Sequence, residues 1–194
     1  HWKMNLKGAL NVATVAFQSG GSAAAWFGQT SLSHDGEGAA QSGMIGHNQT
    51  CWMKAEIDGP CIVSFWWKVS SENVMYDYLE FLVDDVRQAR IGGETEWAQY
   101  TSVIGEGKHT IKWNYQKDGS QSKGMDCGWV DLLELTTPCT ITLDAKGGDA
   151  VPSVVYRKQG DVCGDLPIAT RKGYTFKGWY TTGNYQERMK TDSI

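Results

Sequence analysis

Six short runs of alternating apolar and polar residues constrain the fold of this chain more than any other feature. Turns containing glycine or aspartate separate the runs. A period of two places successive side chains on opposite faces of a strand, and repeated short runs of this kind are typical of antiparallel sandwiches. The runs span residues 51–57, 61–69, 76–84, 96–104, 109–116 and 128–135. The pattern predicts an all-β protein, an antiparallel β-sandwich or jelly roll, with a weak helical signal at residues 6–15.

Charge and aromatic content divide the chain at Pro138. The 194 residues carry 22 acidic and 18 basic side chains, a net charge of -4. The residues before Pro138 sum to -6 and include eight of the nine tryptophans, whereas the residues from Pro138 onward sum to +2. This change in character predicts two domains, residues 1–137 and residues 138–194.

Two classes of partner are disfavoured by the composition. A pI near 5.5 lacks the basic footprint of most nucleic-acid binders. No apolar run approaches the roughly 20 residues of a membrane-spanning helix. The first residues show no signal peptide, and we expect a fragment of a longer protein whose other domains are its neighbours.

The five cysteines form a poor disulfide framework because their number is odd and their spacing irregular. Cys51 and Cys61 flank a turn and could form a bridge. The interpretation we favour is that the cysteines act as small buried apolar residues. No spacing of Cys and His indicates a zinc site, and no cofactor is expected.

Alternation also predicts one outward aromatic face. In the run 61–69, Phe65 and Trp67 share the apolar face, so the adjacent Trp66 points outward. The same parity places Tyr78 and Glu80 outward in the third run, and Lys112 and Asn114 outward in the fifth. If these strands are neighbours, Trp66, Tyr78, Glu80, Lys112 and Asn114 form a single face.

A flat aromatic ring beside amide, carboxylate and ammonium groups is suited to bind a sugar. The ring covers the apolar C–H face of a pyranose, and the polar groups bond its hydroxyls. The five residues are therefore predicted to bind a glycan or another cell-surface ligand. The alternative is that a loop or an adjacent module covers Trp66, which then serves only in packing.

Asp77 and Asp131 fall on the inward parity of their strands. A buried carboxylate needs hydrogen bonds or a cation. The two side chains could cap main-chain amides, which is the interpretation we favour. They could also hold a structural calcium ion with Asp118 or Asp126, although the loop lacks the spacing of an EF-hand.

No constellation of residues predicts catalysis. His34 and Asp35 beside Ser31 and Ser33 are better explained as a turn. Pairs of Glu80 with Glu94 or Glu96 are expected by chance in an acidic chain. His47 and His109 are isolated polar residues, and the protein is predicted not to be an enzyme.

Several motifs of the first domain together resemble a bacterial extracellular jelly-roll module, similar in outline to MAM and concanavalin-like domains. The resemblance covers about residues 10–136 and implies a non-catalytic β-sandwich used for binding or adhesion. The motifs lie at residues 25–30, 33–36, 39–43, 63–71, 76–79 and 127–131.

The second domain resembles the internalin-type B-repeat, or Listeria-Bacteroides repeat, over residues 139–194. The motifs lie at residues 140–148, 151–156, 164–167 and 171–180. The resemblance implies a small β-grasp-like unit of bacterial surface proteins, with Tyr174, Phe176 and Trp179 mainly in its core. The family's last strand would lie beyond Ile194, so we predict a truncated repeat with a frayed or unpaired edge over residues 186–194.

Taken together, these features predict a non-catalytic binding module of a secreted or surface bacterial protein, with carbohydrate as the expected ligand. The alternative is a structural or adhesive spacer that presents another domain.

Overall fold

A computed structural model describes residues 4–181 and 188–189. Strands dominate the described residues, and the sheets are antiparallel, which confirms the predicted fold class. The chain divides into two compact units, His1–Leu135 and Thr136–Ile194. No helix in the described part of the chain is long and apolar enough to span a membrane.

The first unit begins with a single-turn helix, α1, at Leu6–Ala9, where Asn5 Oδ1 accepts the Gly8 amide as the N-cap. Its antiparallel strands follow in the sheet order β2-β3-β8-β4-β7-β5-β6, with β1 on the free edge of β4. The strands are β1 Phe17–Gly21, β2 Phe27–Gln29, β3 Ala39–Gln41, β4 Thr50–Ser70, β5 Tyr78–Val83, β6 Val86–Ile91, β7 Ala98–Gln116 and β8 Cys127–Thr136.

The strands β4 and β7 are each twice as long as the sequence predicts. The runs 51–57 and 61–69 form one strand, β4, whose register with β7 shifts between Gly59 and Cys61. The runs 96–104 and 109–116 likewise join in β7. The turn-type residues between each pair of runs therefore mark an irregularity inside a strand, which the sequence pattern misreads as a chain reversal.

This sheet folds back on itself as a sandwich. In the β4–β7 ladder Met53 pairs with Trp113 and Phe65 pairs with Tyr100. Along an extended strand, Met53 and Phe65 would lie about 40 Å apart. The ring centroids of Phe65 and Trp113 nevertheless lie 5.1 Å apart. The two halves of β4 and β7 therefore belong to facing layers, and their apolar faces meet in one core.

Each of the two layers contains one half of β4 and one half of β7. The first layer contains β1, the first half of β4, the second half of β7, β5 and β6. The second layer contains the first half of β7, the second half of β4, β8, β3 and β2. Phe65, Trp67 and Val69 face the core as predicted, together with Leu79 and Phe81 of the opposite layer.

Four of the five cysteines agree with the favoured interpretation, and Cys139 does not. Cys51, Cys61, Cys127 and Cys163 are buried and Cys139 is exposed, and none is in a disulfide. Burial raises the pKa of Cys51 to about 11 and that of Cys127 to about 12, so both remain protonated near neutral pH.

The β5–β6 hairpin turns at Asp84 and Asp85, which both have positive φ. Asp84 contacts His109 of β7. The Asp84 carboxylate accepts the Thr110 amide at 2.8 Å and lies 2.7 Å from His109 Nδ1. The hydrogen bond that His109 donates to Asp84 raises the pKa of His109, and the hydrogen bonds from the Thr110 amide and from His109 lower the pKa of Asp84. The pair is charged between these two pKa values.

Because the folded pKa of His109 exceeds its ordinary value, its stabilising contribution is complete below that ordinary value and is lost as pH rises through the folded pKa. We expect Asp84→Asn to lower the pKa of His109 in an NMR titration. Asp58→Asn, at an exposed carboxylate paired with Lys108, is the control. A His109 titration curve unchanged by Asp84→Asn would contradict the assignment.

The second unit contains an antiparallel pair, β9 Cys139–Thr142 and β10 Val154–Arg157, and an isolated bridge between Asp149 and Thr170. Leu143, Val155 and Cys163 are among its buried apolar residues within the described chain, with Pro138 at its start. The motif at 171–180 contains no strand among the described residues, apart from a bridge between Tyr180 and Arg188.

The prediction that Tyr174, Phe176 and Trp179 lie mainly in a core is wrong for the first two. Tyr174 is 67% exposed and Phe176 36% exposed, while Trp179 is half-buried and donates to Pro167 O. Two short strands provide too little surface to cover three large rings. The predicted open edge at 186–194 lies outside the described residues, except for Arg188 and Met189.

Candidate functional site

The predicted binding face is divided between the two layers. Trp66 lies on the second half of β4, in the second layer, and pairs with Gln99 of β7. Tyr78, Glu80, Lys112 and Asn114 lie on β5 and the second half of β7, in the first layer. The prediction of a single face is wrong because β7 meets Trp66 with its first half, and Lys112 and Asn114 belong to its second half.

Trp66 points outward as predicted, but a loop residue covers its ring. The His34 imidazole stacks on the indole with ring centroids 3.8 Å apart and an angle of 18° between the planes. Trp97 contacts the same imidazole edge-on at 6.0 Å. One face of Trp66 is therefore already occupied by a stacked ring, as the packing alternative anticipates.

Asp131 holds this loop in place. Its buried carboxylate accepts the main-chain amides of His34 at 2.6 Å and Asp35 at 3.3 Å, and also that of Leu132. Burial raises the pKa of Asp131, and the amide hydrogen bonds oppose that rise. The favoured capping role describes this environment, and Asp35 and Ser33 complete the predicted turn through bonds to the amides of Glu37 and Gly36.

A different tryptophan lies beside the other four predicted residues. Trp52, in the first half of β4, pairs with Gly20 of β1 on one side and with Asn114 of β7 on the other. Asn114 pairs with Glu80 of β5, and Glu80 pairs with Arg90 of β6. These five residues form one row across the outer surface of the first layer. We call this row, together with its neighbours Tyr78, Lys54, Lys112 and Arg87, the Trp52 face.

Gly20 makes room for the Trp52 ring. A Cβ atom at Gly20 would lie 2.8, 3.2 and 3.3 Å from three consecutive atoms of the indole, Cζ2, Cη2 and Cε2. Nearly equal distances to successive ring atoms place that point over the ring face and not beyond its edge. The indole therefore lies flat on β1 with one face against the glycine main chain, and Trp52 remains partly exposed.

The polar residues of the Trp52 face form a network. The Glu80 carboxylate accepts Arg87 Nε at 2.5 Å and Asn114 Nδ2 at 2.9 Å. The Tyr78 hydroxyl accepts Arg87 Nη2 at 3.2 Å, and the guanidinium groups of Arg87 and Arg90 each lie 5.1 Å from the Tyr78 ring. Tyr78, Glu80 and Asn114 are buried, so they support the surface more than they present groups to a ligand.

The sequence already contained the signal for Trp52. In the run 51–57, Cys51, Met53 and Ala55 are apolar and lie in the core, so the alternation that places Trp66 outward also places Trp52 outward. The pairing of Trp52 with Asn114 depends on which half of β7 lies beside it, which alternation alone does not reveal.

The remaining carboxylates suggested for catalysis do not form a pair in the described chain. Glu94 accepts the Ser70 hydroxyl, and Glu96 pairs with Lys68 at 3.6 Å. Glu80 is already bonded to Arg87 and Asn114.

Asp77 and Asp131 have separate environments. Asp77 is buried, its Oδ1 accepts the Asp118 amide at 2.8 Å and its Oδ2 lies 3.3 Å from Lys117 Nζ. Glu72, Asp77 and Asp118 each place a carboxylate oxygen within 4.8 Å of the others, and Asp131 is not in this group. Oxygen donors of this kind fit calcium, whereas the Lys117 ammonium already neutralises part of the charge.

Calcium stays a prediction, but the structure separates Asp131 from Asp77 and brings Glu72, Asp77 and Asp118 together as the group that could hold the ion. At 100 times its dissociation constant, a bound ion would stabilise the fold by about 2.7 kcal/mol. We expect a higher melting temperature in calcium chloride than in EDTA, and Asp118→Asn should remove the difference. Asp58→Asn is the control, and equal melting temperatures of the parent protein in both solutions would contradict the prediction.

Residues 140–194 match the family model of the Listeria-Bacteroides repeat domain, which confirms the resemblance predicted for the second unit. No curated protein matches the chain. The jelly-roll and MAM resemblance of the first unit stays a prediction.

Among solved structures, the cleaved adhesin domain of Lys-gingipain from Porphyromonas gingivalis is 11% identical, with a TM-score of 0.48 over 64% of this chain and 94% of that one. TmCBM61 in complex with β-1,4-galactotriose is 14% identical, with a TM-score of 0.43 over 62% of this chain and 88% of that one. The secreted serine protease VesC from Vibrio cholerae is 12% identical, with a TM-score of 0.47 over 58% of this chain, and the match spans 24% of VesC. With TM-scores below 0.5, these likenesses carry no argument about function.

Proposed function

We propose that the first unit is a non-catalytic carbohydrate-binding module that holds a glycan on the Trp52 face. The observation that carries the proposal is the indole of Trp52, which lies flat over Gly20 and remains partly exposed. A pyranose stacks on such a ring, and the polar groups of the same row reach its hydroxyls. We further propose that the protein acts outside the cell, at a bacterial surface, as part of a longer chain.

Both outward tryptophans are partly exposed, and the groups that lie over their rings favour Trp52 over Trp66 as the site. A sugar at Trp66 would first have to displace His34, whose main chain is held by the buried Asp131 carboxylate. A sugar at Trp52 has no such ring to displace among the described residues; Lys54 Nζ, 5.1 Å from the Trp52 ring, is a mobile and hydrated group.

Affinity gel electrophoresis in a panel of soluble polysaccharides tests the proposal. We expect at least one polysaccharide to retard the protein, Trp52→Ala to abolish the retardation and Trp66→Ala to preserve it. Retardation lost only with Trp66→Ala would move the site to the second layer. Absence of retardation across neutral and charged polymers would refute the proposal.

The second candidate function is a structural or adhesive spacer. The repeat-family match of residues 140–194 and the covered ring of Trp66 favour it. Absence of glycan binding, together with a rigid arrangement of the two units in small-angle scattering, would support this function.

A further inference from the structure

Most of the charged groups that the Trp52 face presents to solvent are cationic. Arg90 is exposed, the Arg87 side chain is 44% exposed, and Lys54 and Lys112 are partly exposed. The carboxylates on this surface are Glu80, which is buried under Arg87, Asp85, which pairs with Lys112, and Glu56, which lies two residues after Lys54 on the same side of β4. Four cations therefore meet three carboxylates, of which Asp85 and Glu56 are exposed.

Two of the cations form no direct ion pair. Lys54 and Arg90 have no carboxylate within ion-pair distance among the described residues; Lys54 lies over the Trp52 ring and Arg90 over the Tyr78 ring, each at 5.1 Å. Lys112 and, to a smaller extent, Lys54 lower the pKa of Asp85, so the charge of Lys54 is partly balanced, whereas that of Arg90 is available to a ligand. An arginine supported by an aromatic ring keeps its planar N–H donors directed outward, which suits a carboxylate or sulfate group.

This concentration of positive charge opposes the composition of the unit. The residues before Pro138 sum to -6, so a random distribution of charge would leave the face negative. A local field of opposite sign attracts an anionic ligand and raises its rate of association. The face thereby differs from a neutral sugar site, in which uncharged amides and hydroxyls suffice.

The cations also define the length of the ligand. Trp52 and Arg90 belong to one row on strands β4, β7, β5 and β6, so three strand spacings of about 4.8 Å separate them, roughly 14 Å in all. A single sugar ring cannot contact both residues. A ligand that uses both must be a chain of sugars that crosses the strands.

We propose that the ligand of the Trp52 face is an acidic polysaccharide, with Trp52 stacking on a sugar ring and Lys54 and Arg90 binding its carboxylate or sulfate groups. The proposal rests on the proposed function and adds the chemical class of the glycan. Uronate and sulfated polymers share the relevant chemistry, and separate arms of the test distinguish them.

The test is affinity electrophoresis in gels that contain polygalacturonate, dextran sulfate, neutral dextran or neutral galactan. We expect retardation by polygalacturonate or dextran sulfate that weakens as sodium chloride is raised, and none by the neutral polymers. The double variant Lys54→Gln/Arg90→Gln should lose about tenfold in affinity for the acidic polymer. Lys7→Gln/Lys172→Gln removes the same charge from exposed positions off this face and should bind like the parent protein.

The outcomes separate this inference from the proposed function. Retardation by a neutral polymer that Trp52→Ala abolishes and Lys54→Gln/Arg90→Gln preserves would overturn the acidic ligand and keep the glycan site. Equal loss in both double variants would also overturn it, because net charge alone would then govern retardation. Loss of binding with Lys54→Gln/Arg90→Gln but not with Trp52→Ala would refute the stacking site itself. If neither the parent protein nor any variant binds a polymer, both the glycan site and the acidic ligand are refuted.

Discussion

Replacing Lys117 with methionine is expected to destabilise the first unit by about 3 to 5 kcal/mol. The Lys117 side chain is 1% exposed, and its ammonium pairs with Asp77 and Asp126. It also donates to Ser122 Oγ at 3.0 Å. Without it, the fully buried Asp77 carboxylate loses its cation and keeps only the Asp118 amide, and an uncompensated buried charge is costly.

Urea unfolding of the parent protein and the variant measures this loss. Lys108→Met is the matched control, since Lys108 pairs with Asp58 at the surface, where such a pair contributes about 0 to 1 kcal/mol. Adding Asp77→Asn to Lys117→Met should restore part of the stability because it removes the unpaired charge. A loss below about 1 kcal/mol in Lys117→Met would show that the buried pair does not stabilise the sandwich as described.

Replacing Trp52 with alanine is expected to lower the affinity for a bound polysaccharide by about thirtyfold, or about 2 kcal/mol. The polysaccharide is one that retards the parent protein in the gel. The reason is the loss of the stacking surface that Gly20 positions. Isothermal titration calorimetry at constant salt measures the effect. Stability should change little by comparison, because Trp52 lies outside the core cluster of buried residues.

Two further variants identify the cause of such a loss. Trp52→Phe keeps a smaller ring and should retain intermediate affinity. Gly20→Val adds atoms where Trp52 Cζ2 lies 2.8 Å from the Cβ position, so it should lift the indole and weaken binding while the ring is still present. Full affinity in Trp52→Ala would refute the stacking role.

The sequence was sufficient for the class of fold and for the inward residues of its main strands. Alternation correctly placed Phe65, Trp67 and Leu79 in the core because a strand buries one face regardless of its neighbours. It failed at Gly59, where turn-type residues interrupt the pattern without ending the strand. β4 thus enters both layers, and that single fact separates Trp66 from Asn114.

The candidate site was only partly predictable because it depends on contacts between distant parts of the chain. Tyr78, Glu80, Lys112 and Asn114 do share one outer face. The ring that completes it is Trp52, whose position beside Asn114 follows from the strand register. The cover on Trp66 comes from His34, which is fixed by Asp131, and no local pattern brings these residues together.

The most direct test of the glycan site is an NMR titration of the nine tryptophan indole N–H signals with galacturonate oligomers. Single Trp→Phe variants assign the signals of Trp52 and Trp66. If the glycan binds on the Trp52 face, the Trp52 signal shifts with saturation as oligomer is added and the Trp66 signal stays in place. A Trp52 signal that does not move while the protein binds the oligomer, or a shift at Trp66 instead, would contradict a glycan site on that face.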